Sequence, residues 1–285
     1  MNLTQVDYRK LLHTRWIICG LVVLVLVPCF WVVQKPFHPS PLAKNLYDRV
    51  DALKPGDHLL VALDYDPSAI AELNPMAVAI FRHCFDKGII PVVMTHWPNA
   101  TDMAEKLLHE AAESAQERLH HPVASGTDYV YLGYRPGGFA LILRMGGSIQ
   151  SAFDKDFYGK PTDSMPALKG VINLKNINLA IDIAAGNTVG WWIAYGSDRF
   201  HFPLGAGTTA VQAPDMYPFI QTGQLVGLLG GLRGAADYEQ LVETPGTATK
   251  AMPAQSAAHI LVIVLILITN ARLIIGRFRG NRKET

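Results

Sequence analysis

The chain is 285 residues long, 49% hydrophobic and only 17% charged, with a formal net charge of +1 and three cysteines. It is too apolar for disorder and carries less charge than the roughly 25% of ordinary soluble proteins. The cysteine count excludes a disulfide scaffold, and the balanced charge gives no footprint for nucleic acid. Only two runs are long and apolar enough to cross a bilayer, which excludes a polytopic transporter or channel.

Residues 1–15 are a basic tail of net charge +2. Trp16 to Val33 follows without a charge, enough helix for about 27 Å. Trp16 and Trp31 lie near its ends, where indoles favour the headgroup layer. No A-x-A-like site follows, and Pro28 rather than a small residue precedes Cys29, so residues 16–34 are expected to be an uncleaved anchor. A linker spans 35–57, with Pro36, Pro39 and Pro41, a short amphipathic stretch and the turn Lys54-Pro55-Gly56-Asp57.

An α/β domain is expected over 58–242, from short apolar runs alternating with helical patterns. Strands are predicted at His58–Asp64, Ile89–Thr95, Tyr129–Tyr134, Asn178–Ala184 and Pro203–Ala210. A helix is predicted from Asn74 or Pro75 to Lys87, stopped by Gly88, and another from Thr101 to about Leu119. Helical spacing also marks Phe139–Phe153, and a further helix is expected from about Pro214. The fold class is an open doubly wound, mostly parallel sheet of about five strands, flanked by an N-terminal and a C-terminal transmembrane helix.

Residues 243–256 read as a second linker and 257–275 as the second span, apolar on every face from Ile260 to Ile268. Arg272 is near enough to the end to snorkel. The last ten residues, 276–285, are a basic tail, and residues 270–285 together carry +4. Residues 35–250 carry −5. Basic flanks favour the cytoplasm, so both termini are expected inside and the central domain outside. Cys84 as the domain's only cysteine agrees with an oxidising compartment.

In open α/β sheets, ligands bind beyond the carboxyl ends of the strands. Those ends carry Asp64, Tyr65 and Asp66, then Thr95, His96 and Trp97, then Arg135 with Gly137 and Gly138, then Asp182, Asn187 and Thr188, then Thr208 and Thr209. Carboxylates, an imidazole, a guanidinium and glycine backbone on one rim suit a cation and a phosphate. Turns also favour Asp, Asn, Gly and Thr for their own reasons.

LLVALDYDPS resembles the first motif of haloacid-dehalogenase-like phosphatases, and GIIPVVMT is similar to their second, a strand ending in Thr or Ser. The resemblance covers about forty residues. It implies Asp64 as nucleophile, Asp66 as general acid/base, Thr95 as phosphate ligand and Mg²⁺ held by Asp64, Asp66 and Asp182. No lysine stands at a third-motif strand end. The chain has no G-x-S-x-G elbow, Walker A loop or strand-linked G-x-G-x-x-G, and its ten histidines include no H-x-H or H-x-x-x-H.

Residues 203–236 contain one acid, Asp215, and one base, Arg233. Gly227 and Gly231, like Gly230 and Gly234, stand four apart, a spacing that permits close backbone approach. Either they pack inside the domain or they offer a docking surface to lipid, another copy or a partner subunit. The leading expectation is a non-catalytic, membrane-anchored subunit or scaffold of a membrane complex, with no cofactor. Its partners would be membrane lipid and other subunits or a second copy, not nucleic acid. The alternatives are the cation-dependent phosphohydrolase and an extracytoplasmic small-ligand sensor using the rim residues His96, Arg135, Asp182, Asn187 and Thr208.

Overall fold

A computed structural model describes residues 38–281, so the first expected span and its tail lie outside the described residues. The chain divides into a lobe, Phe37–Thr249, and a unit of terminal segments, of which Lys250–Asn281 is described.

The lobe opens with helix α1, Pro41–Asp51, where the sequence suggests a linker. The Ser40 side chain accepts from the Ala43 amide and Pro41 starts the first turn, so local capping is complete. Ala43, Leu46 and Val50 bury one stripe. Then come β1 (His58–Asp64), α2 (Ile70–Lys87), β2 (Ile90–Thr95), α3 (Thr101–Leu119) and β3 (Val130–Tyr134). Helix α2 begins earlier than proline spacing suggests. Asp66 accepts from the Ser68 amide and Pro67 starts a turn that runs into the helix, leaving Pro75 buried inside it. Gly88 ends α2 with φ +67°, as expected.

Helices α4 (Phe139–Gly147) and α5 (Ile149–Ala152) follow, then irregular chain to β4 (Leu179–Ala184). Helix α6, Thr188–Trp191, continues as a π-helical turn, Trp192–Ser197, and a last turn, Asp198–Phe200. The lobe closes with β5 (Leu204–Thr208), α7 (Ala213–Gln221), β6 (Leu228–Gly230) and α8 (Gly231–Leu241).

The six strands lie in the order β3-β2-β1-β4-β5-β6, with every pairing parallel. This is a Rossmann-like arrangement whose order reverses between β1 and β4. The sixth strand is three residues inside a Gly-Leu-Leu-Gly-Gly run, too short and glycine-rich to show a strand period. Both faces of the sheet are covered. One packs Leu60, Ala62, Val92, Met94, Ala180 and Ala206 against α4, α6 and α7. On the other, Gly205 approaches Leu46 of α1 and Gly207 approaches Met76 of α2.

Helix α8 holds both ends of the lobe. Asp237 accepts from the Ser40 amide (3.0 Å) and from Arg233 Nε (2.7 Å), and the Arg233 guanidinium donates to the His38 carbonyl. Two residues on, buried Glu239 accepts from the amides of Gly246, Ala248 and Thr249 and from the Thr249 hydroxyl, at 2.6–3.0 Å.

Helix α9 runs from Thr247 to Asn281, so the expected linker over 243–256 is helical from Thr247. Within it Thr247–Leu267 is long and apolar enough to cross a membrane, at mean hydropathy 1.6. Ile260, Val262, Ile263, Ile266 and Leu267 are exposed.

Candidate functional site

The site forms where the strand order reverses. Ala62 of β1 pairs with Met94 of β2 and Asp182 of β4, Asp64 pairs with Ala184, and Ala184 pairs with Thr208 of β5. Partners in a parallel pair share a face. Register alone therefore brings Asp64, Asp182 and Thr208 to the face covered by α6.

Asp64 is fully buried. Its Oδ1 accepts from the His96 amide (2.6 Å) and the Thr95 hydroxyl (3.3 Å), and its Oδ2 accepts from His96 Nδ1 (2.8 Å). The Thr95 oxygen in turn accepts from the Trp97 amide at 2.9 Å. When an imidazole is neutral, a carboxylate on its Nδ1 fixes the tautomer and leaves the Nε2 lone pair as an acceptor. That Nε2 is buried and has no partner.

Asp182 is buried within a central strand, and neither of its oxygens has a hydrogen-bond partner. Burial first, then the nearby Asp64, hold its carboxyl well above the usual carboxylate range, while the Thr188 hydroxyl acts in the opposite direction. Thr188 Oγ1, Thr208 Oγ1 and Trp192 Nε1 are likewise buried and unpartnered. The Trp192 ring lies 5.7 Å from that of His96, edge to face, and Trp191 lies 6.1 Å away in the same manner. The Ala185 amide donates to the Asp64 carbonyl at 3.1 Å, which fastens the loop after β4 across the end of β1. There, a Cβ on Gly186 would meet the Trp97 ring at 2.9 Å.

Of the residues singled out from sequence, Asp64, Thr95, His96, Asp182, Thr188 and Thr208 belong to this cluster. Asp66 does not join it, because its carboxylate accepts from the amide (2.9 Å) and hydroxyl (2.5 Å) of Ser68. Arg135 pairs with exposed Asp154 at 2.8 Å, and Asn187 is exposed just before α6. Thr209 bonds weakly to Gln212 at 3.4 Å. Among the described residues no group of three or more His, Cys, Asp or Glu side chains is arranged to hold a metal ion.

Sequence reasoning missed Trp191 and Trp192. The available signal was an aromatic doublet a few residues beyond a strand end. The four glycines lie inside the lobe's packing: a Cβ on Gly227 would meet the Leu46 backbone at 2.5 Å, on Gly230 Ala213, on Gly231 Ala210, and on Gly234 Leu229.

Chemically, the cluster offers a fixed imidazole acceptor, a carboxyl without a partner and two free hydroxyls in a buried, indole-bordered setting. In comparisons with known proteins, no family model matches the chain and no curated protein matches it.

Proposed function

We propose that the chain is a membrane-anchored α/β lobe that binds a small polar ligand where β1 and β4 diverge, with the lobe on the extracytoplasmic side. The observation that carries this reading is the Asp182 carboxyl, buried and without a hydrogen-bond partner beside Asp64 and His96. An unpaired polar group in a protein interior costs about 1–3 kcal/mol, and such costs concentrate at functional sites. Membrane anchoring draws support from the exposed apolar surface of α9, and sidedness from the basic flanks of the sequence.

Two features weigh against Mg²⁺-dependent phosphoryl transfer. Asp66 is engaged by Ser68, and both oxygens of Asp64 are engaged by the segment Thr95–His96. A subunit or scaffold role is the second reading. Ile260–Leu267 favours it, since an exposed apolar helix takes either lipid or another helix as its neighbour. The four glycines lend it no support, because their close neighbours belong to the lobe itself.

The test is a thermal-shift screen of the detergent-extracted full chain against small polar compounds of every charge type. At least one class should raise the melting temperature of wild type and fail to raise that of Asp182→Asn and His96→Gln. Identical profiles for all three proteins would refute the ligand site. Mild-detergent pull-down tests the second reading, which stable co-purifying chains would favour.

A further inference from the structure

We infer that the ligand of this site is a small organic ammonium ion, held between the Asp64–Asp182 carboxyl pair and the indoles of Trp97, Trp191 and Trp192. The inference rests on the ligand-site reading above and specifies its chemistry. It starts from the charge the cluster carries. Two carboxyl groups approach each other in the interior without a lysine or arginine between them, and the polar atoms around them are hydroxyls, an imidazole and the Trp192 indole N–H. An anion placed here would meet two carboxyl groups and no cationic side chain to offset them. The β1–α2 connection, Asp64-Tyr65-Asp66-Pro67-Ser68, also has no glycine backbone to cradle a phosphate.

The independent sign of a ligand is the set of buried atoms left unpaired around the carboxyl pair: His96 Nε2, both Asp182 oxygens, Thr188 Oγ1, Thr208 Oγ1 and Trp192 Nε1. Asp182, Thr188 and Thr208 are each no more than 1% exposed. The Asp182 oxygens, and Nε2 in the tautomer fixed by Asp64, lack donors, while the two hydroxyls take either role and Trp192 Nε1 lacks an acceptor. The group that suits the carboxyl pair and imidazole is therefore a donor and, beside two carboxyls with no basic side chain, a cationic one. A zinc ion would ask for three or more converging ligands of the His, Cys, Asp or Glu type, an arrangement that does not occur among the described residues. An alkylammonium asks for less. It takes one or two carboxylates, and its apolar substituents and spread charge suit aromatic faces, tryptophan best of all. Trp191 and Trp192 flank His96, Trp97 covers Gly186 on the loop across β1, and Trp191 also touches Gly138.

Asp64 on β1 and, through it, His96 after β2 are the titratable groups facing Asp182. Ammonium binding therefore favours the ionised form of Asp182, and acidification should weaken it.

Isothermal titration of the full chain in detergent tests this with choline, ethanolamine and putrescine as probes, against phosphate, AMP, Mg²⁺ and glucose. At least one ammonium probe should bind, at least tenfold weaker to Asp182→Asn. Trp191→Ala, a partly exposed position, should weaken it several-fold with the melting temperature unchanged. Affinity should fall by up to tenfold per pH unit through the titration of Asp182. Choline against ethanolamine separates a quaternary from a primary head. Asp182-dependent binding of Mg²⁺, phosphate, AMP or glucose, with no ammonium probe bound, would overturn the ammonium assignment and leave the ligand site standing. Binding by no probe, together with a flat thermal-shift screen, would overturn both.

Discussion

Asp182 faces solvent in no direction, and its strand neighbours Ile181 and Ile183 show the residue type the position would otherwise take. Its carboxyl pKa is raised in the fold, so the unfolded chain loses this proton first as pH climbs. The sign follows. Below about pH 4 both states are protonated and Asp182 is neutral to stability. Above that it destabilises increasingly until the folded-state value is passed. Asp182→Asn should therefore stabilise the lobe at neutral pH by about 1–3 kcal/mol, roughly 2–4 °C in melting temperature per kcal/mol, and have little effect near pH 3. Thermal unfolding from pH 3 to 8 checks this, and a variant less stable than wild type at pH 7 would contradict it. At this scale the sequence was informative about position and silent about pairing. Asp64, His96, Asp182 and Thr208 all sit at strand ends, which apolar runs mark clearly. Nothing in a single chain of letters shows that Asp66 turns to Ser68 while Asp64 turns to His96. That choice is made by a local turn hydrogen bond two residues away.

At the scale of elements, glycines decide how closely layers approach. A Cβ on Gly227 would press on the backbone of Leu46, which cannot move without shifting α1, whereas a Cβ on Gly147 would meet nothing within 4 Å. Gly227→Ala should cost about 1–3 kcal/mol by overpacking. Gly147→Ala, at the end of α4, should be neutral or gain up to about 1 kcal/mol from helix propensity. Urea denaturation of the pair checks the contrast, and equal effects would refute it. The same glycines explain why β6 escaped sequence reading while five strands were placed to within two residues. Long apolar runs bounded by Pro, Gly and Asp announce buried strands. Three residues among glycines carry no period, and only pairing with β5 makes them a strand. Helix α1 was half legible: its amphipathic stripe was visible, but the prolines before it suggested a linker.

For the whole molecule, Cys84 reports on the integrity of the lobe. It is fully buried, and burial pushes its thiol well above the ordinary range. In a chain with Cys19 and Cys29 replaced by serine, maleimide should label Cys84 only as fast as the lobe opens, orders of magnitude slower than after denaturation. Rapid labelling of the native protein would show that α2 is loosely held. Class and architecture were readable at this scale because they follow from composition and strand spacing, which are properties of long stretches.

The adjacency of Asp237 and Glu239 on α8 has a mechanical consequence. The chain enters the lobe at residues fastened to the first of these carboxylates and leaves it at residues fastened to the second. Tension applied between the two ends passes through α8 alone, by-passing the six strands. Stretching from both ends in an optical trap would thus strip α1 and α8 away as an early event, while the sheet and its acidic centre bore no load until that clasp had let go.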